Sequence, residues 1–176
     1  MSLPLTRARA MGLALFLALA LFLTLIRLIP LSPGAIPRPG PELSLCLAIA
    51  WILRRPDQIP ALAVAGIFLL EDILLMRPPG LWALLVLLAS EQLRHRWVRW
   101  RDQAFVFEWL RASGLIVLLI VAYRVIMAMF LLPVPSMTGL ALQIIATIAA
   151  YPAVVLFARL VLRLRPVSQA ELERAG

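Results

Sequence analysis

Residues 42–57 read ELSLCLAIAWILRRPD, and whether their apolar part crosses a membrane decides the topology of the whole chain. Glu42 to Leu53 makes about 18 Å of helix, short of the ~30 Å of a hydrocarbon core. On length alone, a re-entrant hairpin competes with a full span. The arginines decide between them. All 17 basic residues of the chain are Arg. If every apolar stretch spans, thirteen of them fall on one side: Arg7, Arg9, Arg54, Arg55, Arg94, Arg96, Arg99, Arg101, Arg111, Arg159, Arg163, Arg165 and Arg174. Only Arg27, Arg38 and Arg77 fall on the other, with Arg124 in the membrane. That asymmetry puts both termini in the cytoplasm. If residues 42–53 turned back, the Arg-rich stretch from Arg94 to Arg111 would face outward, against the same rule.

Around this pivot lie five further apolar stretches, at about Met11–Ile29, Ile59–Met76, Leu81–Leu93, Ala112–Leu132 and Thr138–Leu162. The first is preceded by Arg7 and Arg9, as a signal peptide would be. Its length and the placing of its small residues inside the run favour an uncleaved helix. Between the first and second stretches come five prolines within residues 30–41, a stiff extended loop. The expectation is an all-α polytopic membrane bundle of about six transmembrane helices over residues 1–165. A short polar cytoplasmic tail, 166–176, follows. Composition agrees: hydrophobic residues are 63%, charged residues 15%, and mean hydropathy is +0.97. A soluble domain of this length needs far more polar surface.

A net charge of +8 raises nucleic acid as a partner. The charge is confined to loops flanking apolar stretches, so membrane lipid is the expected partner and nucleic acid is not. Cys46 lies alone in an apolar run and His95 alone in a basic one, which leaves no disulfide framework and no metal-ligand spacing. No catalytic motif, Walker sequence or cofactor fingerprint is legible, so no catalytic, cofactor-binding or metal residue is expected.

Charges inside spans are the natural functional candidates, because each costs about 2.5–3.5 kcal/mol at a helix centre on insertion scales. Asp72 and Gln143 fall at similar depth on their stretches, with Arg124 about a turn deeper but within reach of a snorkelling side chain, and the three are expected to form an intramembrane polar clamp. Glu71, about 100° around the helix from Asp72, is expected to point elsewhere. A second candidate is the basic and aromatic run containing Arg94, Arg96, Trp97, Arg99, Trp100, Arg101 and Phe107. At helical spacing, Trp97, Trp100 and Phe107 share an apolar face, suited to the headgroup layer or to a cytoplasmic partner.

Two stretches carry a family resemblance. Pro41-Glu42-Leu43 through Arg54-Arg55-Pro56-Asp57, and Gly66 through Asp72 with Pro79-Gly80-Leu81, resemble the rod shape-determining MreD family. Gly66, Asp72, Pro79 and Gly80 fall on its signature, with two mild departures: Ile67 where Leu is usual, and Pro79-Gly80 where Leu-Gly often follows the proline. The resemblance implies a non-catalytic scaffold in the bacterial inner membrane. It would support lateral peptidoglycan synthesis and cell shape with MreB, MreC, RodA and a class B penicillin-binding protein. It also implies a fold shared with the substrate-binding components of energy-coupling-factor transporters. The alternative is therefore a small-molecule-binding membrane subunit of a vitamin-type transporter. A lipid-modifying enzyme fits least, for want of a catalytic set.

Overall fold

The computed structural model describes residues 3–29, 40–100, 105–134 and 136–160. Among them are six α-helices and no strand: α1 (Leu3–Leu28), α2 (Leu43–Ile52), α3 (Ala61–Leu74), α4 (Leu81–Trp100), α5 (Phe105–Met129) and α6 (Met137–Leu160). The tail at 166–176 lies outside the described residues.

Three helices are long and apolar enough to cross a membrane, over Arg9–Leu28, Phe105–Met129 and Met137–Leu160. At 1.5 Å per residue each covers about 30 Å or more, the thickness of a hydrocarbon core. Their outer faces carry exposed Phe22, Leu25, Leu118, Val125, Ile145 and Leu156. The helix at the pivot, α2, is only 10 residues long, yet every residue from Ser44 to Ile52 is buried. A helix apolar on all sides belongs inside a bundle. It packs on α6, α4 and α1, while α3 fills the space between α1 and α4, and α5 bridges α4 and α6. Phe16 of α1 meets Trp51 edge-on at 5.7 Å, and the Trp51 indole N–H donates to Gln58 (3.1 Å).

Local signals explain the helix ends. After α3 the chain closes a Schellman turn, with Met76 N–H donating to the Ile73 carbonyl and Arg77 N–H to that of Asp72. Met76 takes the left-handed conformation there, with φ 52°. The end of α5 repeats the device, with Leu131 at φ 55° and Leu132 N–H bonded to the Met127 carbonyl. Pro78-Pro79 then prevents helix from resuming until Gly80, whose φ of 88° suits only glycine.

One boundary differs from expectation. Arg94 through Trp100 form no separate surface helix; they continue α4, and α5 begins at Phe105, ahead of Ala112. Leu, Ala, Glu and Arg are all good helix formers, and nothing between Leu81 and Trp100 breaks the run.

Candidate functional site

The helices alternate in direction, so α1, α3 and α5 finish where α2, α4 and α6 start. Six helix ends converge there on a cavity of about 310 Å³. Its polar wall holds Arg27 from the last turn of α1, Glu42 ahead of α2, Arg77 after α3, Arg124 of α5 and Gln143 of α6. Trp82 and Tyr123 also line it, their rings edge-on at 5.5 Å.

Glu42 is the centre of this wall and is 1% exposed. Arg27 grips it with two N–H groups, Nη1 to Oε2 at 2.5 Å and Nη2 to Oε1 at 3.1 Å. Arg77 Nη2 donates to Oε1 at 2.7 Å, and Gln143 Nε2 donates to the same oxygen at 2.8 Å. The Glu42 backbone N–H donates to Thr147 Oγ1, whose own hydroxyl donates to the Gln143 carbonyl (2.6 Å). Arg27 Nη1 also reaches Glu71 Oε1 at 3.0 Å. Glu42 therefore ties α1, α2, α6 and the α3–α4 turn together. The carboxylate stands beside the N-terminus of α2, where the helix dipole favours negative charge.

The opposite end of α2 mirrors this. Arg54, just past the last turn, is buried and donates Nη1 to the Ala50 carbonyl (2.7 Å) and Nη2 to Glu108 of α5 (3.0 Å). Tyr151 of α6 donates its hydroxyl to the same Glu108 oxygen at 2.8 Å. Arg9 of α1 pairs with Asp57 nearby, at 3.4 Å. Hence α1 and α3 begin, and α2 ends, at the face where α5 begins and α6 finishes.

The expected clamp is rearranged. Arg124 and Gln143 do meet at one site, but the carboxylate that Gln143 holds is Glu42. Asp72 is fully buried, and its Oδ2 accepts from the backbone N–H groups of Gly80 (3.0 Å) and Ala83 (3.2 Å). The reason is local. Asp72 lies in the last turn of α3, and the Schellman turn folds the start of α4 back over it. Since Gly80 has no side chain to cap α4, Asp72 supplies the capping oxygen from the preceding helix. Glu71, expected to point away, is the one turned toward Arg27.

The family-signature residues thus build the α3–α4 hairpin: Asp72 caps, Pro79 stops and Gly80 turns. Gly66 stands apart on the exposed face of α3, where an added Cβ would meet nothing within 4 Å. Of the basic and aromatic run, Arg94 is turned inward, donating to the Ile59 carbonyl and pairing with Glu91 (3.2 Å). It holds the end of α4 to the start of α3, so it is no part of a free surface. Phe107 is exposed at the start of α5, on a different helix from Trp97 and Trp100. The side chains of Arg96, Trp97, Arg99 and Trp100, and Arg101 as a whole, lie outside the described residues.

Sequence reasoning missed Glu42, Arg27 and Arg77 because each sits at the edge of an apolar stretch, where a charge reads as a loop residue. The signal that was available is Glu42 itself, an acid directly before an apolar run too short to span alone. Among the described residues no group of three His, Cys, Asp or Glu side chains gathers to hold a metal. Comparison with known protein families, with curated proteins and with solved structures finds no match.

Proposed function

We propose that this chain is a non-catalytic scaffold of the bacterial inner membrane, acting in the rod elongation complex with MreB and MreC. All six helices would cross the bilayer, with the short α2 enclosed by the others and both termini cytoplasmic. The cavity then opens on the outer face, and the Arg54–Glu108 cluster lies toward the cytoplasm. The observation that carries the reading is the use made of Asp72. The signature aspartate gives its Oδ2 to capping α4, which supports reading the motif that resembles MreD as one that shapes a hairpin. Exposed faces would supply the contacts, among them the outer side of α3 around Gly66. RodA and a class B penicillin-binding protein are the implied partners beyond MreC.

Affinity purification of the tagged chain from its native membrane, with mass spectrometry of what co-purifies, tests this. Recovery of MreC and the rod synthase is the expected result. Recovery of an ATPase pair with a coupling transmembrane subunit would overturn it. That outcome belongs to the second reading, a small-molecule-binding subunit of a transporter, which the cavity among Arg27, Arg77, Arg124 and Gln143 favours.

A further inference from the structure

The cavity has a chemistry of its own. At about 310 Å³ it holds roughly ten waters' worth of space, the low end of the range for small-ligand sites. Three guanidinium groups line it, from α1, the α3–α4 turn and α5, against one lining carboxylate. That carboxylate, Glu42, already accepts four hydrogen bonds, from Arg27 twice, Arg77 and Gln143. Three of them fall on Oε1 and one on Oε2, which leaves an entering cation little of the carboxylate's acceptor capacity. Donors are the surplus. Arg77 places one N–H on Glu42 and lays its guanidinium face 5.5 Å from the Trp82 ring. A guanidinium carries five N–H groups in a fork that matches phosphate. Trp82 is 2% exposed, and its indole N–H has no hydrogen-bond partner. Buried donors of that kind are normally satisfied, and this one belongs to a side chain that lines the cavity.

The facing wall is apolar, with Leu75, Ile120, Met127 and Leu140. The cavity sits where six helix ends meet, the level of lipid headgroups if the long helices span the bilayer. We propose that it binds a phosphate-bearing amphiphile, with the phosphate on Arg27, Arg77 and Arg124 and a short apolar portion along Met127 and Leu140. The assignment rests on placement in a membrane and holds for either reading of the function. Its test reads ligand binding alone and fails separately from the co-purification.

The test is thermal unfolding of the full chain in dodecyl maltoside at fixed ionic strength. Three probes are titrated: dihexanoylphosphatidic acid, dihexanoylphosphatidylcholine and inorganic phosphate. The expected result is a saturable rise in Tm with phosphatidic acid, half-complete at a concentration at least about tenfold below that for the choline lipid, which lacks net negative charge. One lost charge-assisted hydrogen bond corresponds to about that factor. A weaker response to inorganic phosphate identifies the lipid as the source; an equal one identifies a free phosphate, with the same recognition chemistry. Equal responses to the two lipids, or none to either phosphate probe, overturn the proposal. Arg77→Gln should weaken the response about tenfold, the same single-bond factor. Leu140→Trp fills the cavity from its apolar wall without touching the ion cluster. It should unfold near the wild-type Tm and lose the response. A full response from Leu140→Trp would place the phosphate elsewhere and overturn the assignment, even if Arg77→Gln does not fold.

Discussion

Replacing Glu42 by Gln keeps the side-chain shape and removes one negative charge from a buried cluster. Arg27 approaches that carboxylate to 2.5 Å and Arg77 to 2.7 Å. With charge centres about 4 Å apart and an effective dielectric of ~20, each pair attracts by about 4 kcal/mol. The two pairs gross about 8 kcal/mol at that dielectric. The loss is smaller, since Arg27 keeps Glu71 at 3.0 Å and some water follows the uncompensated charge. Breaking a buried pair by removing one partner typically costs about 3–5 kcal/mol, and that is the expected loss of stability. The amide also turns one acceptor into a donor facing two guanidinium groups. For a chain of 176 residues, 1 kcal/mol corresponds to about 2–4 °C, so Tm should fall by about 6–20 °C. Thermal unfolding in detergent, followed by tryptophan fluorescence, measures it. Glu71→Gln, which removes a single bond to Arg27, serves as the control and should cost less than half as much. If Glu42→Gln unfolds within about 3 °C of wild type, below the effect of even one buried hydrogen bond, Glu42 does not anchor the bundle.

Three further substitutions probe the hairpin and the α3 face. Asp72→Asn weakens the cap on α4 and should cost about 1–2 kcal/mol, with faster hydrogen exchange at the Gly80 and Ala83 amides; unchanged exchange there would refute the capping role. Met76→Gly relieves a left-handed, 94% exposed residue and should raise stability by up to about 1 kcal/mol. A lower Tm would mean that Met76 makes contacts outweighing the strain. Gly66→Ala should stabilise α3 by about 1 kcal/mol, because the methyl enters open space. Gly66→Trp should leave Tm unchanged but reduce recovery of co-purifying partners; full recovery would remove that face from the docking surfaces.

Much of the architecture is legible in apolar length and arginine placement. The three long helices follow directly from long apolar runs, and the alternation of helix direction groups Arg9, Arg54 and Arg94 at one end and Arg27 and Arg77 at the other, as their assignment had it. The site was legible only in part. Arg124 and Gln143 were found because they stand inside apolar stretches, where a polar residue is conspicuous. Glu42, Arg27 and Arg77 stand at stretch boundaries, and sequence spacing says nothing about which boundary folds over which. Asp72 was misread for a related reason. Its partner amides lie 8 and 11 residues ahead, across a turn whose geometry depends on Met76 accepting a left-handed φ, and no periodicity encodes that. The extension of α4 to Trp100 was hidden by a change in polarity, although a helix can pass from apolar to basic residues without a break.

The short central helix gives the bundle its logic. In lipid there is little hydrophobic force between helices, so packing and polar contacts must select one arrangement from many. Leu43–Ile52 covers about 15 Å, half of a ~30 Å hydrocarbon core. If the long helices span that core, α2 is too short to carry Glu42 and Arg54 to its two surfaces at once. Both are buried, so neither can be left without a counter-charge, and α2 supplies none; it offers Arg54 only the Ala50 carbonyl. Glu42 must recruit Arg27, Arg77 and Gln143, while Arg54 must recruit Glu108 and, through it, Tyr151. Each requirement fixes the register of a longer helix against α2, and both signs agree with the dipole of α2 itself. The same requirement gathers guanidinium groups at one end. A bundle that satisfies a buried carboxylate with several arginines concentrates N–H donors around it, and the cavity lined by Arg27, Arg77 and Arg124 is where the proposed phosphate would meet them.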